Sequence, residues 1–123
     1  MFLLNVSDQF SAAHRLCGYQ GACSNLHGHN WKVRVGIECE TLDEIGMGLD
    51  YGVIKDILTC ILDQFDHEYL NDMPLLEGQN PTSENLARII YKEMERGLVN
   101  YPAKIKEVEI YESERSSVIY SNA

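Results

Sequence analysis

Residues 31–40 read WKVRVGIECE, and the alternation along them decides the architecture. Trp31, Val33, Val35, Ile37 and Cys39 take one face of an extended chain, while Lys32, Arg34, Glu38 and Glu40 take the other. Side chains of a strand point alternately to opposite sides, so a period of two predicts a half-buried β-strand. The parity continues backwards into CSNLHGHN, residues 23–30, where His27 and His29 join the apolar face provided that Gly28 leaves the pleat unbroken. Residues 2–14 alternate similarly: Phe2, Leu4, Val6, Phe10, Ala12 and His14 share a parity, with Asp8 as the exception.

The period then changes. Over 53–65, Ile54, Ile57, Leu58, Ile61, Leu62 and Phe65 follow the i, i+3, i+4, i+7 spacing of an amphipathic helix. Asp50, just past the glycine-rich turn at 46–48, is its expected N-cap. NPTSENLARIIYKEM, from Asn80 to Met94, opens a second helix: Pro81 blocks extension backwards, Thr82 or Ser83 can cap, and Glu84 suits the positive end of the helix dipole. Leu86, Ile89, Ile90 and Met94 form its apolar stripe, and Gly97 is read as its stop. IKEVEIYE (105–112) and SVIY (117–120), joined by SERS, read as a β-hairpin. The order ββααββ, with no linker or repeat, predicts a single α+β domain over 1–123: a four-stranded antiparallel sheet with two helices packed on one face. Such a sheet leaves edge strands, which proteins cover or pair, so association through the edges is expected.

The 123 residues suffice for one hydrophobic core, and an apolar share of 45% with 24% charged residues is ordinary for a globular chain. No apolar run approaches the ~20 residues of a membrane span. The start, MFLLNVSDQF, has no basic segment and reaches Asp8 too early for a secretory signal, so a cytoplasmic location is expected. Cys17, Cys23, Cys39 and Cys60 form no Cys-x-x-Cys pair, and Cys39 and Cys60 are placed on apolar faces, so disulfides are not expected. A net charge of -9 argues against nucleic acid or an anionic membrane as partner. It leaves a small anionic substrate open, because local cations or a metal outweigh a distant average.

The polar residues on apolar parities carry the chemistry. His27 and His29, two apart on one strand, point the same way, and His14 shares the apolar parity of the neighbouring strand. Three imidazoles on one side of a sheet, with no fourth protein ligand, describe either a catalytic zinc site whose last position is left to water or substrate, the favoured reading, or separately satisfied histidines at strand ends. Cys23, just ahead of them between polar neighbours, is either a thiol activated by a metal or base or an inert cysteine. His67, after the first helix, either complements the helix C-terminus or carries protons beside Asp66. Glu112 has the parity of Val108 and Ile110. It is either a partly buried carboxylate awaiting a ligand with two parallel N–H groups, or merely the strand's solvated last residue.

FSAAHRL (10–16), CSNLHGHNW (23–31), GMGLDYGVIKDIL (46–58), FDHEYLND (65–72), NPTSENLA (80–87) and IYES (110–113) together resemble the 6-pyruvoyltetrahydropterin synthase family. The likeness is closest to its bacterial queuosine-pathway branch, which makes 6-carboxy-5,6,7,8-tetrahydropterin. The resemblance spans nearly the whole chain, from Phe2 to Tyr120. It implies the tunnelling fold, in which sheets of several subunits join into a barrel, and a homohexamer of two stacked trimers. It implies Zn2+ on His14, His27 and His29, proton transfer at Cys23, and a catalytic dyad of Asp66 and His67 supplied by a neighbouring subunit. It further implies that Glu112 grips the amino-pyrimidinone edge of a pterin, with Thr82 and Ser83 beside that pocket. The implied substrate is 7,8-dihydroneopterin triphosphate, with Arg15 as a candidate cation for its phosphates. The implied reaction eliminates triphosphate and then either cleaves the side chain, releasing acetaldehyde, or rearranges it to a pyruvoyl group. A pterin-binding zinc protein without turnover is a reading of another class, and simple binding would need none of Cys23, Asp66 and His67. Gly-Met-Gly-Leu-Asp-Tyr at 46–51 departs from the Gly-Met-Val-x-Asp-Phe expected of relatives.

Overall fold

The computed structural model describes residues 1–18, 21 and 25–122. Strands β1 (Phe2–His14) and β2 (His27–Cys39) pair antiparallel without a slip, from Phe2 opposite Cys39 to His14 opposite His27. Gly28 sits opposite Ala13 within this ladder, so the pleat is intact and β2 begins at His27, ahead of the predicted start at Trp31. Two 13-residue strands at about 3.4 Å per residue make a ribbon over 40 Å long. The length matters because it carries the histidines beyond the region where the helices cover the sheet's middle.

Strands β3 (Lys104–Ser113) and β4 (Ser116–Tyr120) complete an antiparallel sheet in the order β1-β2-β3-β4. Gly36 faces Glu107 but Ile37 faces Ile105, so Lys106 is an extra residue bulged from β3. The bulge switches the parity and lets Ile105, Val108 and Ile110 all bury on the same side.

Helices α1 (Tyr51–Asp63) and α2 (Ser83–Gly97) lie on one face, α1 against β1 and α2 against β3 and β4. Trp31, Val33, Val35 and Ile37 are fully buried there with Ile54, Leu58, Leu86, Ile90 and Met94. Asp50 caps α1, its Oδ1 accepting the Gly52 N–H at 2.8 Å. The helix starts two residues earlier than its apolar spacing predicts, and Phe65 buries beyond its end. Of the two candidates, Thr82 caps α2, its Oγ1 accepting the Asn85 N–H at 3.1 Å. Asp8, the exception in the parity of β1, meets Thr59 of α1, whose hydroxyl donates to its carboxylate at 3.1 Å.

Two expectations are corrected. Cys60 is exposed, because it lies off the stripe of α1; Cys17 is exposed, and only Cys39 of these three free cysteines is buried, which pushes its thiol pKa up. Helix α2 does stop at Gly97, but not through a left-handed backbone there. A Cβ there would lie 2.5 Å from Ile57 Cγ2, so its missing side chain is what lets the two helices approach.

On the open face, Arg34 donates to Glu109 Oε1 at 3.0 Å and to Asn5 Oδ1 at 2.6 Å and pairs with Glu107. Among the described residues, the edge of β1 is covered at the end that carries Ser11 and Ala13. The Ser11 N–H donates to Asp66 Oδ1 at 2.9 Å, the His67 N–H to the Ser11 carbonyl at 2.6 Å, and the Ala13 N–H to the Glu68 carbonyl at 3.2 Å. No helix among the described residues is long and apolar enough to cross a membrane.

Candidate metal centre

Pairing sets the site. His14 stands opposite His27, and Ala12 opposite His29, so adjoining positions of β1 and β2 bring three rings to the helix-covered side of the sheet. Ring centroids are 4.4 Å apart for His14 and His27, 5.1 Å for His14 and His29, and 4.7 Å for His27 and His29. Trp31, fully buried, lies next to the site with its ring 5.0 Å from His14 and 5.1 Å from His29.

Backbone carbonyls fix the tautomers. His14 Nδ1 is 2.7 Å from the Pro81 carbonyl, and His27 Nδ1 is 2.7 Å from the Asn25 carbonyl. A carbonyl only accepts, so each Nδ1 carries the proton and each Nε2 presents a lone pair. Those two Nε2 atoms face one another at 2.9 Å. Two acceptors at that separation repel unless a cation lies between them. His29 Nε2 is buried without a hydrogen-bond partner; Glu112 Oε1 stands 3.2 Å from it but outside hydrogen-bonding geometry. Burial lowers the pKa of both His14 and His29, against the opposing pull of the Pro81 carbonyl on the first and Glu112 on the second. Burial thus favours the neutral form of His14 and His29, the form that binds metals.

One donor atom from each of His14, His27, His29 and Glu112 lies within 4.8 Å of the others. Three imidazoles with a carboxylate suit zinc, and the orphaned nitrogen of His29 gives the structural reason to place an ion there. The family resemblance implies a substrate role for Glu112; the sheet brings it to the histidines as well. Its other oxygen, Oε2, accepts the Ser83 hydroxyl at 3.1 Å. The start of α2 therefore serves the site twice, Pro81 orienting His14 and Ser83 orienting Glu112, while the intervening Thr82 uses its hydroxyl oxygen as the cap.

Asp66 and His67 form a separate pair at the edge of β1. His67 Nδ1 lies 3.0 Å from Asp66 Oδ2, and its side chain is 83% exposed. His67 lies past the C-cap of α1, Gln64, and meets Asp66 there. The Ser11 N–H, and after it His67, hold the Asp66 carboxyl below its usual range. His67 is the only non-glycine among the described residues with positive φ, at 60°, a conformation costing about 1–2 kcal/mol for most side chains. It lines an open cleft of about 590 Å³ with His29, Asn30 and Tyr69, but it does not join the four-donor cluster.

Cys23 lies outside the described residues. The chain leaving β1 towards it is clamped at alternate positions. Asn71 accepts the Arg15 N–H at 2.9 Å and donates to the Arg15 carbonyl at 2.9 Å. Asn80 does the same for Cys17 at 3.0 and 2.7 Å. Asn71 and Asn80, with the carbonyls of Pro81 and Asn25, are the parts that sequence reasoning missed. The asparagines stand inside FDHEYLND and NPTSENLA, which was the available signal; backbone carbonyls leave none.

The sequence pattern of the family described as 6-pyruvoyl tetrahydropterin synthase matches residues 3–123. A 6-pyruvoyl tetrahydrobiopterin synthase of Dictyostelium discoideum is 33% identical over 130 residues, covering 96% of this chain and 94% of that protein. A 6-carboxy-5,6,7,8-tetrahydropterin synthase of Synechocystis sp. is 34% identical over 125 residues, covering 98% and 93%. The solved structure of Caenorhabditis elegans 6-pyruvoyl tetrahydropterin synthase has a TM-score of 0.88 with 27% identity, covering 99% of this chain and 96% of that one. The four-stranded sheet with its ββααββ order is thus the tunnelling fold, and the chain belongs to the 6-pyruvoyl tetrahydropterin synthase family.

Proposed function

We propose that this chain is a zinc-dependent, cytoplasmic lyase that converts 7,8-dihydroneopterin triphosphate into 6-carboxy-5,6,7,8-tetrahydropterin, releasing triphosphate and acetaldehyde, as a step of queuosine biosynthesis. The observation that carries this reading is the convergence of the His14, His27 and His29 nitrogens, two of them locked by carbonyls with lone pairs inward. Zinc, when bound there, supplies a Lewis acid for the hydroxyls of the substrate side chain. Glu112 holds the amino-pyrimidinone edge through two parallel N–H···O bonds, fixing the pterin relative to the histidines. Cys23, as thiolate, takes a proton from the substrate side chain, and His67, oriented by Asp66, moves protons on the other side. Triphosphate departs by elimination. The side chain is then cleaved hydrolytically: one water adds its oxygen to the carbon attached to C6 as the carbon–carbon bond beyond it breaks, which releases acetaldehyde and leaves a carboxylate at C6. The protein works as a homohexamer of two trimers in which His67 reaches a neighbour's metal centre; its exposure at a sheet edge supports this.

A second reading, 6-pyruvoyltetrahydropterin synthesis from the same substrate, is favoured by the names of the Dictyostelium and Caenorhabditis relatives. Every site residue serves both reactions. Zinc-loaded protein is incubated with dihydroneopterin triphosphate, and acetaldehyde and product mass are measured. Acetaldehyde with a carboxylated pterin is the expected result. A pyruvoyl product without acetaldehyde transfers the chain to the second activity, and an unconsumed substrate leaves a pterin-binding zinc protein.

A further inference from the structure

We propose that Glu112 serves two partners in turn: in the substrate-free protein its Oε1 is the fourth donor of the metal centre, and a pterin is seated only by drawing that carboxylate away. The proposal rests on the zinc and pterin reading above and goes beyond it in making the two functions of the site compete.

The distances point first to shared coordination. Around a tetrahedral ion with bonds of about 2.0–2.1 Å, neighbouring donors stand about 3.3–3.4 Å apart. The His29 Nε2 and Glu112 Oε1 atoms are 3.2 Å apart, nearly that edge length. They do not form a hydrogen bond, so the His29 nitrogen is left buried and unpartnered. His14 Nε2 and His27 Nε2, at 2.9 Å, need to part by about half an ångström to reach the same edge. With all four donor atoms within 4.8 Å of one another, Glu112 Oε1 stands where a fourth donor is needed.

The competition is for the first oxygen. Glu112 Oε2 accepts the hydroxyl of Ser83, the first residue of α2, where the helix dipole favours negative charge, and keeps a second lone pair. Oε1 is turned towards the histidines. A guanidine-like ring edge presents two parallel N–H donors and needs both oxygens in one plane. Seating such an edge turns the carboxylate and withdraws Oε1 from the metal. A full substrate can fill the vacated position with its own side-chain hydroxyls, whereas a bare pterin cannot. By linkage, a bare pterin and the metal must then weaken one another by the same factor.

The test uses zinc titration calorimetry and cobalt spectra on the whole protein. Wild type is expected to bind one zinc per chain, and Glu112→Gln to bind one zinc at least tenfold more weakly, the three histidines being intact. Glu112→Asp, a carboxylate one methylene too short, is expected to lose affinity likewise, which guards against an effect of the amide alone. Cobalt-loaded wild type is expected to change its visible spectrum when bare pterin is added. Cobalt-loaded Glu112→Gln starts with an altered spectrum that pterin leaves alone. Equal zinc affinities with superimposable cobalt spectra overturn the fourth-donor role while leaving the synthase reading in place. A wild type that binds no zinc overturns both, and the acetaldehyde assay separately tests the activity.

Discussion

A histidine whose Nδ1 gives its hydrogen to a carbonyl can offer a metal only its Nε2, and Pro81 and Asn25 hold His14 and His27 in that state. This accounts for the smallest unit of function in the chain: the ligand atoms are chosen by backbone groups, not by the rings themselves. Parity along β1 and β2 was enough to place three imidazoles on one side. It could not reveal their tautomers, since the deciding carbonyls belong to a proline and an asparagine whose side chains say nothing about them. Glu112 was half legible: its parity marked it as inward, but its distance from His29 depends on how β3 pairs with β2. At this scale, His27→Ala is expected to retain no zinc after dialysis, measured by elemental analysis; full occupancy sinks the three-histidine site. Cys23→Ala is expected to keep zinc and lose turnover by about 10²–10⁴-fold, the usual contribution of a positioned proton-transfer group. Loss of metal in that variant would make Cys23 a ligand instead.

Elements meet in this fold at places where a single residue decides the spacing. Gly97 brings α2 against Ile57 of α1, where a Cβ would fall 2.5 Å from a branch carbon of a stiff β-branched side chain. Gly97→Ala is expected to lower stability by about 1–3 kcal/mol by overpacking, read as a fall in the denaturant midpoint. Ile57→Ala is expected to cost less when combined with Gly97→Ala than when made alone; strict additivity would mean the helices do not touch there. On the other face of the sheet, Arg34 and Ser117 hold the Glu109 carboxyl below its ordinary value of 4.5 although burial opposes them. The folded protein therefore binds fewer protons than the unfolded chain below that pH. The contribution of Glu109 is complete above about pH 4.5 and is lost as the pH falls through its lowered folded value. Arg34→Met is expected to be less stable than wild type by about 1–3 kcal/mol at pH 7, where two part-buried carboxylates lose their cation. The gap should narrow as the pH drops below 4.5, followed by thermal melts; a gap independent of pH would assign the loss to packing. The alternation of residues 2–14 and 31–40 made both long strands visible. The bulge at Lys106 was signalled only by Ile105, whose odd position disagrees with Val108 and Ile110. Such a mismatch in a short strand reads equally as a strand end.

A chain of this family is a fraction of its working unit if the active site is shared, and the placement of His67 bears on that. Its ring is 83% exposed, paired with Asp66, and held at the end of β1 that residues 66–69 cover. It does not belong to the four-donor cluster of its own chain. Its positive φ, 60°, is held at an exposed position, which is the observation that motivates a test of its use. Complementation tests whether the use is between chains. His67→Asn suits the purpose, because asparagine tolerates the left-handed backbone while lacking a titratable ring. Cys23→Ala and His67→Asn chains, each tagged differently, are unfolded together, reassembled, and purified through both tags. Each variant alone is expected to be inactive. In a mixed closed oligomer, a site with its own Cys23 intact can receive an intact His67 from the other kind of chain, which restores about a quarter of the sites under random assembly. If Cys23 and His67 act within one chain, every site in the mixture lacks one of the two, and the reassembled protein stays as inactive as its parents.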